Sequence, residues 1–257
     1  MHVIAPDFVK AKTWLCRESL GFLFIWYHAD GEAPSWELED EPEISSGRWK
    51  QTARFERVVY GHIQDICENG ADVGHFEKLH KASGLVSGEE YASNTGYSWK
   101  GRLLSHKYDI SWSAEGTVAR TKTPIRVSIF GRNFDSLTVR GLFKLVGPAF
   151  FVFHGETRWG SLITTMSLTP VGPLEVKVVH LTFSEPRLPW VVRKAIYMGH
   201  RNMLDRDIIV WNKKKYHKKP VLVPEDRFIV AFRRWYSQFY SSKSPTWEDT
   251  RDTSLEW

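Results

Sequence analysis

The sequence predicts an α+β protein in which an antiparallel sheet is covered on one face by a helix. Three observations lead there. Residues 96–185 alternate apolar with polar side chains and carry many β-branched and aromatic residues between turn signals. Connections such as Thr169-Pro-Val-Gly-Pro173 are short, which suits antiparallel neighbours. After Pro189 the apolar period lengthens to that of a helix, with Val192, Ile196, Gly199, Met203 and Val210 on one stripe. At 257 residues and 42% hydrophobic content, the chain supports one sizeable domain, or a domain with a small appendage.

In chain order, residues 13–26 read as a strand, a glycine turn and a second apolar strand, a pair too small to stand alone and expected to join a sheet. The acidic, proline-bearing stretches 30–34 and 39–43 read as a connector, dividing the chain into 1–40 and 41–257. A helix is expected from Tyr60, with Val59, Ile63, Ile66, Gly70 and Val73 along one stripe. Strands follow at 125–130, 137–142, 161–167 and 174–183. A closing helix over 224–240 opens with a proline and two acids and turns Phe228, Phe232, Trp235 and Phe239 to one face, a core pattern. The tail from Ser241 is polar.

Composition excludes several classes. A net charge of +5 without an aromatic-basic motif argues against nucleic acid. The basic run 213–219 reads as a solvated helix end, or as a face toward anionic lipid or an acidic redox partner. Cys16 and Cys67 are too few for a disulfide framework and read as free thiols of a reducing compartment. With no apolar run near the ~18 residues of a membrane span and no signal peptide after Met1, the chain as written reads as soluble.

The chemistry concentrates in residues 65–80, where His75 and His80 stand among Asp65, Glu68, Asp72 and Glu77. Two neutral imidazoles and one carboxylate on a common face form the donor set of a mononuclear Fe(II) centre that activates O2. Asp72 and His75 are neighbours at i, i+3, whereas His80 lies about 140° round from His75 on an ideal helix. Both reach one ion if the helix bends or ends between them, and Gly74 permits a bend. A carboxylate is available after Pro189: from Met203, Asp207 falls at about 40°, inside the apolar stripe, and Asp205 at about 160°, opposite it. Buried Asp207 must meet a positive partner, either a metal ion or a buried Arg or His. His28, His62, His106, His154, His180, His200 and His217 read as core or surface residues, although His154 and His180 sit on strands that could line a cavity.

The pattern Glu68-Asn69-x-x-Asp72-x-x-His75-x-x-x-x-His80 resembles the iron-binding signature of Rieske-type non-haem iron oxygenases, in the version of ketosteroid hydroxylases and cholesterol 7-desaturases. Residues 26–30, 207–213 and 232–240 extend the resemblance over most of the chain. It implies a helix-grip fold, a curved sheet wrapped round a long helix toward the C-terminus with a ligand cavity between. It assigns iron to His75, His80 and Asp207, the link to a neighbouring subunit's iron-sulfur cluster to Asp72, and an orienting role to Asn69. It implies a sterol substrate, O2, 7,8-desaturation of cholesterol, and electrons from NAD(P)H through a reductase or ferredoxin. A homotrimer, or a hetero-oligomer with a full-length relative, is implied as well, and relatives are typically membrane-anchored.

A 2Fe-2S Rieske cluster needs Cys-x-His and Cys-x-x-His pairs. Cys16 is followed by Arg17 and Glu18, and Cys67 by Glu68 and Asn69, so this chain ligates no such cluster. Residues 1–40 then resemble the end of a Rieske domain plus linker, and 41–257 the catalytic domain. Two readings follow: an oxygenase drawing electrons from another subunit's cluster, or a non-catalytic sterol-binding or regulatory partner of a full-length relative.

Overall fold

The fold is taken from a computed structural model that describes residues 13–82, 84–93, 99–215 and 220–245, without the side chain of Arg102. It opens with a hairpin, β1 (Cys16–Ser19) and β2 (Phe22–Ile25), turned at Leu20 and Gly21, both at positive φ. A short helix α1 (Pro42–Ser45) leads into β3 (Lys50–Tyr60). Four short helices follow: α2 (Ile63–Glu68), α3 (Val73–Lys78), α4 (Gly88–Ala92) and α5 (Trp99–Leu103). The strands then run as β4 (Leu104–Tyr108), β5 (Ser111–Glu115), β6 (Val118–Ile129), β7 (Arg132–Val146), β8 (Phe150–Thr157), β9 (Gly160–Gly172) and β10 (Glu175–Ser184). The long helix α6 (Trp190–Trp211) and the closing α7 (Arg227–Tyr236) complete the chain.

All eight strands of the main sheet pair antiparallel in the order β3-β10-β9-β8-β7-β6-β4, with β5 sharing the outer edge of β6 beside β4. The sheet curls into a half-barrel round α6, the α+β arrangement expected. Register defines its inner face, because directly paired residues project to the same side. One inner row runs Phe55, His180, Met166, Phe151, Leu145 and Ala119 across six strands. The next runs Ala53, Thr182, Thr164, Phe153, Phe143 and Thr121. Helix α7 closes the adjoining core with Phe232 and Tyr236, both buried, and sets Phe228 and Phe232 against Trp112 of β5. The aromatic stripe of the closing helix is therefore core.

Helix α6 is fixed to its surroundings by polar contacts as well as packing. Arg57 of β3 grips Asp205 with two hydrogen bonds of 2.6 and 3.1 Å. Asn212, just past the helix, accepts the Tyr60 backbone N–H at 2.9 Å. Gly199 lies against Gly84 so closely that a Cβ added to Gly84 would sit 2.7 Å from the Gly199 Cα. Because that neighbour is backbone and cannot swing away, Gly84→Ala is expected to destabilise the fold by roughly 1–3 kcal/mol. Urea unfolding would read this as a lower midpoint at unchanged m-value.

Several expectations need correction. The helix expected from Tyr60 is two helices: Val59 and Tyr60 belong to β3, and the chain breaks between Glu68 and Val73. Strand β3 was hidden because Arg and Glu at 54, 56 and 57 interrupt its apolar alternation. The hairpin joins no larger sheet; it packs Leu20, Phe22 and Phe24 onto Phe150 and Val152. Val210 is 51% exposed, so the buried stripe of α6 shifts near its end to Leu204, Asp207 and Trp211. His154 points away from the inner face and meets Glu41 at 3.0 Å. Cys16 is exposed and Cys67 buried, and both are free thiols. Of the basic run 213–219, positions 216–219 lie outside the described residues, as does the tail beyond 245.

Candidate metal centre

The break between α2 and α3 builds the first half of the site. Asp72 is the N-cap of α3: its side chain accepts the His75 backbone N–H at 3.2 Å, satisfying one otherwise unpaired amide of the first turn. The Asp72 carbonyl also receives the His75 Nδ1 proton. That bond fixes the tautomer, leaving His75 Nε2 as a bare acceptor that finds no protein hydrogen-bond partner. Burial pushes the His75 pKa down, which keeps the ring neutral, as a ligand requires.

Helix α3 ends at Lys78, between the two histidines, and this ending brings them together; Gly74 is not the cause. The His75 and His80 rings lie 5.0 Å apart and nearly perpendicular, at 82°. Tyr108 donates to the His80 carbonyl at 3.3 Å and steadies the turn.

Asp207 arrives from α6. It is buried, and its Oδ1 stands 3.1 Å from His80 Nε2 without satisfactory hydrogen-bond geometry. One potential ligand atom from each of His75, His80 and Asp207 falls within 4.8 Å of the others. A buried carboxylate and an imidazole nitrogen both lacking a protein hydrogen bond are costly unless a cation joins them. The donor set, two neutral imidazoles and one carboxylate, suits a mononuclear non-haem iron.

Between Asp205 and Asp207 stands Arg206, which sequence reasoning missed. It is fully buried and donates to the carbonyls of Leu79, Ala82 and Val86, holding the segment that follows α3. Its position 60° from Met203, inside the apolar stripe, was the available signal. Asp205, expected on the opposite face, is half-buried against Arg57. Three successive side chains of α6 thus engage β3, the loop after α3 and the histidine pair.

A cavity of about 150 Å³ opens on the trio, lined by Asn69, Phe76, Tyr108, Phe143, Phe151, Phe153, Met166 and Met203, with His180 and His200 also on its wall. The lining is mainly apolar. Its volume is below the ~300–1,000 Å³ of most small-molecule pockets, so a large ligand enters only as the Met and Phe side chains shift. His180 was expected as a possible lining residue; His200 was not.

Burial pushes the pKa of His180 down to about 3 and that of His106 down to about 4. Both are neutral when folded, so the unfolded chain, with pKa near 6.5, binds more protons below that pH. Stability is therefore complete above about pH 6.5 and lost as pH falls toward 4, by up to about 1.4 kcal/mol per pH unit per histidine. Urea midpoints of the metal-free chain measured from pH 7 to pH 5 should fall, and His180→Phe should make that fall shallower.

Comparison with known proteins places these observations. Residues 25–240 match the family described as 3-ketosteroid 9α-hydroxylase C-terminal domain. The cholesterol 7-desaturase of Xenopus laevis is 34% identical over 245 residues, 93% of this chain and 53% of that protein. The cholesterol 7-desaturase of Caenorhabditis elegans is 32% identical over 93% of this chain and 57% of its own length. The chain thus spans about half the length of the curated relatives it matches. In fold it resembles dicamba monooxygenase, with a TM-score of 0.61 at 12% identity over 91% of this chain and 72% of that one.

Proposed function

Because the chain belongs to the family of the 3-ketosteroid 9α-hydroxylase C-terminal domain, the catalytic domain of Rieske oxygenases, we propose that it oxidises a sterol, converting cholesterol to 7-dehydrocholesterol. The observation that carries this is the meeting of His75, His80 and Asp207, with a ligand nitrogen and a carboxylate oxygen lacking protein partners, at the wall of an apolar cavity. Bound there, Fe(II) would supply, with O2, the oxidant for the C7–H bond of cholesterol, which is allylic to its ring double bond.

The chain's own residues supply the rest. His75 and His80 offer ring nitrogens, and the Asp207 carboxylate would leave an Fe(II) centre one net positive charge, which an apolar wall tolerates better than a bare dication. The phenylalanine and methionine lining excludes water and holds the hydrocarbon framework. Asp72 is bonded twice to His75 and is assigned the link to an electron donor; Asn69, at the end of α2, is assigned an orienting role. Desaturation removes two hydrogens and two electrons from C7 and C8. Reducing O2 to two waters takes two more electrons, assigned to NAD(P)H through a reductase and a 2Fe-2S cluster on another subunit. A partner arranged as a homotrimer or with a full-length relative would provide that cluster. Residues 1–40 are assigned to the end of the Rieske domain and linker, and 41–257 to the catalytic domain.

The test is turnover: the chain with Fe(II), reductase, ferredoxin and a full-length relative whose own iron ligands are mutated should yield 7-dehydrocholesterol by mass spectrometry. No product, with intact sterol binding that survives removal of iron, would favour the second reading, a sterol-binding partner without catalysis. The carboxylate of Asp207 favours the enzyme, since binding an apolar ligand gives no reason to bury it.

A further inference from the structure

His180 has a wholly unsatisfied side chain at the cavity wall. It is 9% exposed, and no protein atom completes a hydrogen bond to either ring nitrogen. The ring lies flat against Phe55, centroids 4.4 Å apart and planes at 16°, which fixes its orientation while leaving both nitrogens at its edge. His200 of α6 lies on the wall of the same cavity and packs edge-on to Phe153 at 5.1 Å.

Three other polar groups of the cavity are already engaged. Thr121 donates to the Gly70 carbonyl at 2.9 Å, Thr164 shares a bond with Thr182 at 3.1 Å, and Tyr108 serves His80. His180 therefore has a donor and an acceptor unused, which is costly in an apolar wall, and one alcohol group can satisfy either of them, donating to the bare nitrogen or accepting from the protonated one. The location is separate from the metal centre. His200 precedes Asp207 by seven residues on α6, about 10 Å along the helix axis, with Met203 between them.

We propose that His180, with His200 beside it, binds the single hydroxyl of the sterol and thereby decides which carbon faces His75, His80 and Asp207. This rests on the sterol reading above. His180 is then a specificity residue remote from the reacting carbon. A hydrocarbon of the same shape without the hydroxyl leaves the imidazole unpaired and is rejected.

Equilibrium binding of cholesterol and of 5-cholestene, which lacks the hydroxyl, to the full chain tests this. The wild type is expected to hold cholesterol roughly 10-fold tighter or more. His180→Phe, which keeps the ring stack, should bind both alike, with 5-cholestene affinity unchanged, and His180→Gln should recover part of the preference. A preference that persists in His180→Phe overturns the proposal, as does a wild type that binds both equally. If His180→Phe binds neither sterol, His180→Gln and His200→Phe decide: full preference in both overturns the proposal, and reduced preference in both supports it. A wild type that binds neither overturns the sterol reading itself, and this proposal with it.

Discussion

Replacing His80 or Asp207 by alanine is expected to lower anaerobic Fe(II) binding from near one ion per chain to background, and turnover below detection. Each variant leaves two ligand atoms where three converge within 4.8 Å. Stability separates a lost ligand from a lost fold. In the wild type, iron that binds only the native state at 100 times its Kd adds about 2.7 kcal/mol, seen as a metal-dependent rise in the urea midpoint. Both variants should lose that rise. Without metal, Asp207→Asn should be no less stable than the wild type, because it removes a buried carboxylate whose Oδ1 lacks a satisfactory hydrogen bond. If metal-free Asp207→Asn were several kcal/mol less stable, the carboxylate would be a structural partner of His80 and the iron assignment would fall.

Arg206→Met is expected to be the most damaging change outside the trio. The guanidinium has no exposed surface and serves three carbonyls, on Leu79, Ala82 and Val86, and it stacks at 5.6 Å on Tyr91. Methionine fills part of the volume and serves none of them. At about 1–3 kcal/mol for each buried group left unpaired, a loss of several kcal/mol follows, a large share of a domain's usual 5–15. Burial itself holds the Arg206 pKa below its ordinary value, yet a guanidinium stays charged in proteins, and here it finds its hydrogen-bond partners in carbonyl dipoles. Since Leu79 adjoins His80, folded Arg206→Met should also bind iron more weakly. Thermal melting with iron titration would check both, and an unchanged melting temperature would refute the first.

Legibility in the sequence followed the length of each pattern. The strands β6, β7, β9 and β10 and the helix α6 carry their periods over ten residues or more and were readable, and the angle of Asp207 on α6 picked the acid that stands beside His75 and His80. The region from Tyr60 was misread because Val59, Ile63, Ile66, Gly70 and Val73 mimic a helical stripe, although the first belongs to a strand and the last to a second helix. Periodicity cannot register a break whose cause is the capping bond from Asp72 to the His75 amide. The pairing of His75 with His80 depended on that break, so the motif located the site while the geometry stayed hidden. Arg206 and His200 escaped because a polar side chain on a buried stripe reads as noise until its partner is known. Those partners lie more than 100 and 40 residues away in sequence.

The sheet order sets a schedule for synthesis. Among the described residues β3 lies at the edge and pairs only with β10, so Tyr60 waits for Glu175, 115 residues later, before it finds its neighbour. At the ~5–20 residues per second of translation, that is a delay of roughly 6–23 s, during which β3 offers unpaired backbone on both sides. His75 and His80 emerge in the same interval and wait longer, since Asp207 is made later still. For that period a nascent chain presents two imidazoles to any passing metal without the carboxylate that completes the set. Two imidazoles alone discriminate less among divalent ions than the full set of three donors, and the many non-local pairings make folding after release slow as well.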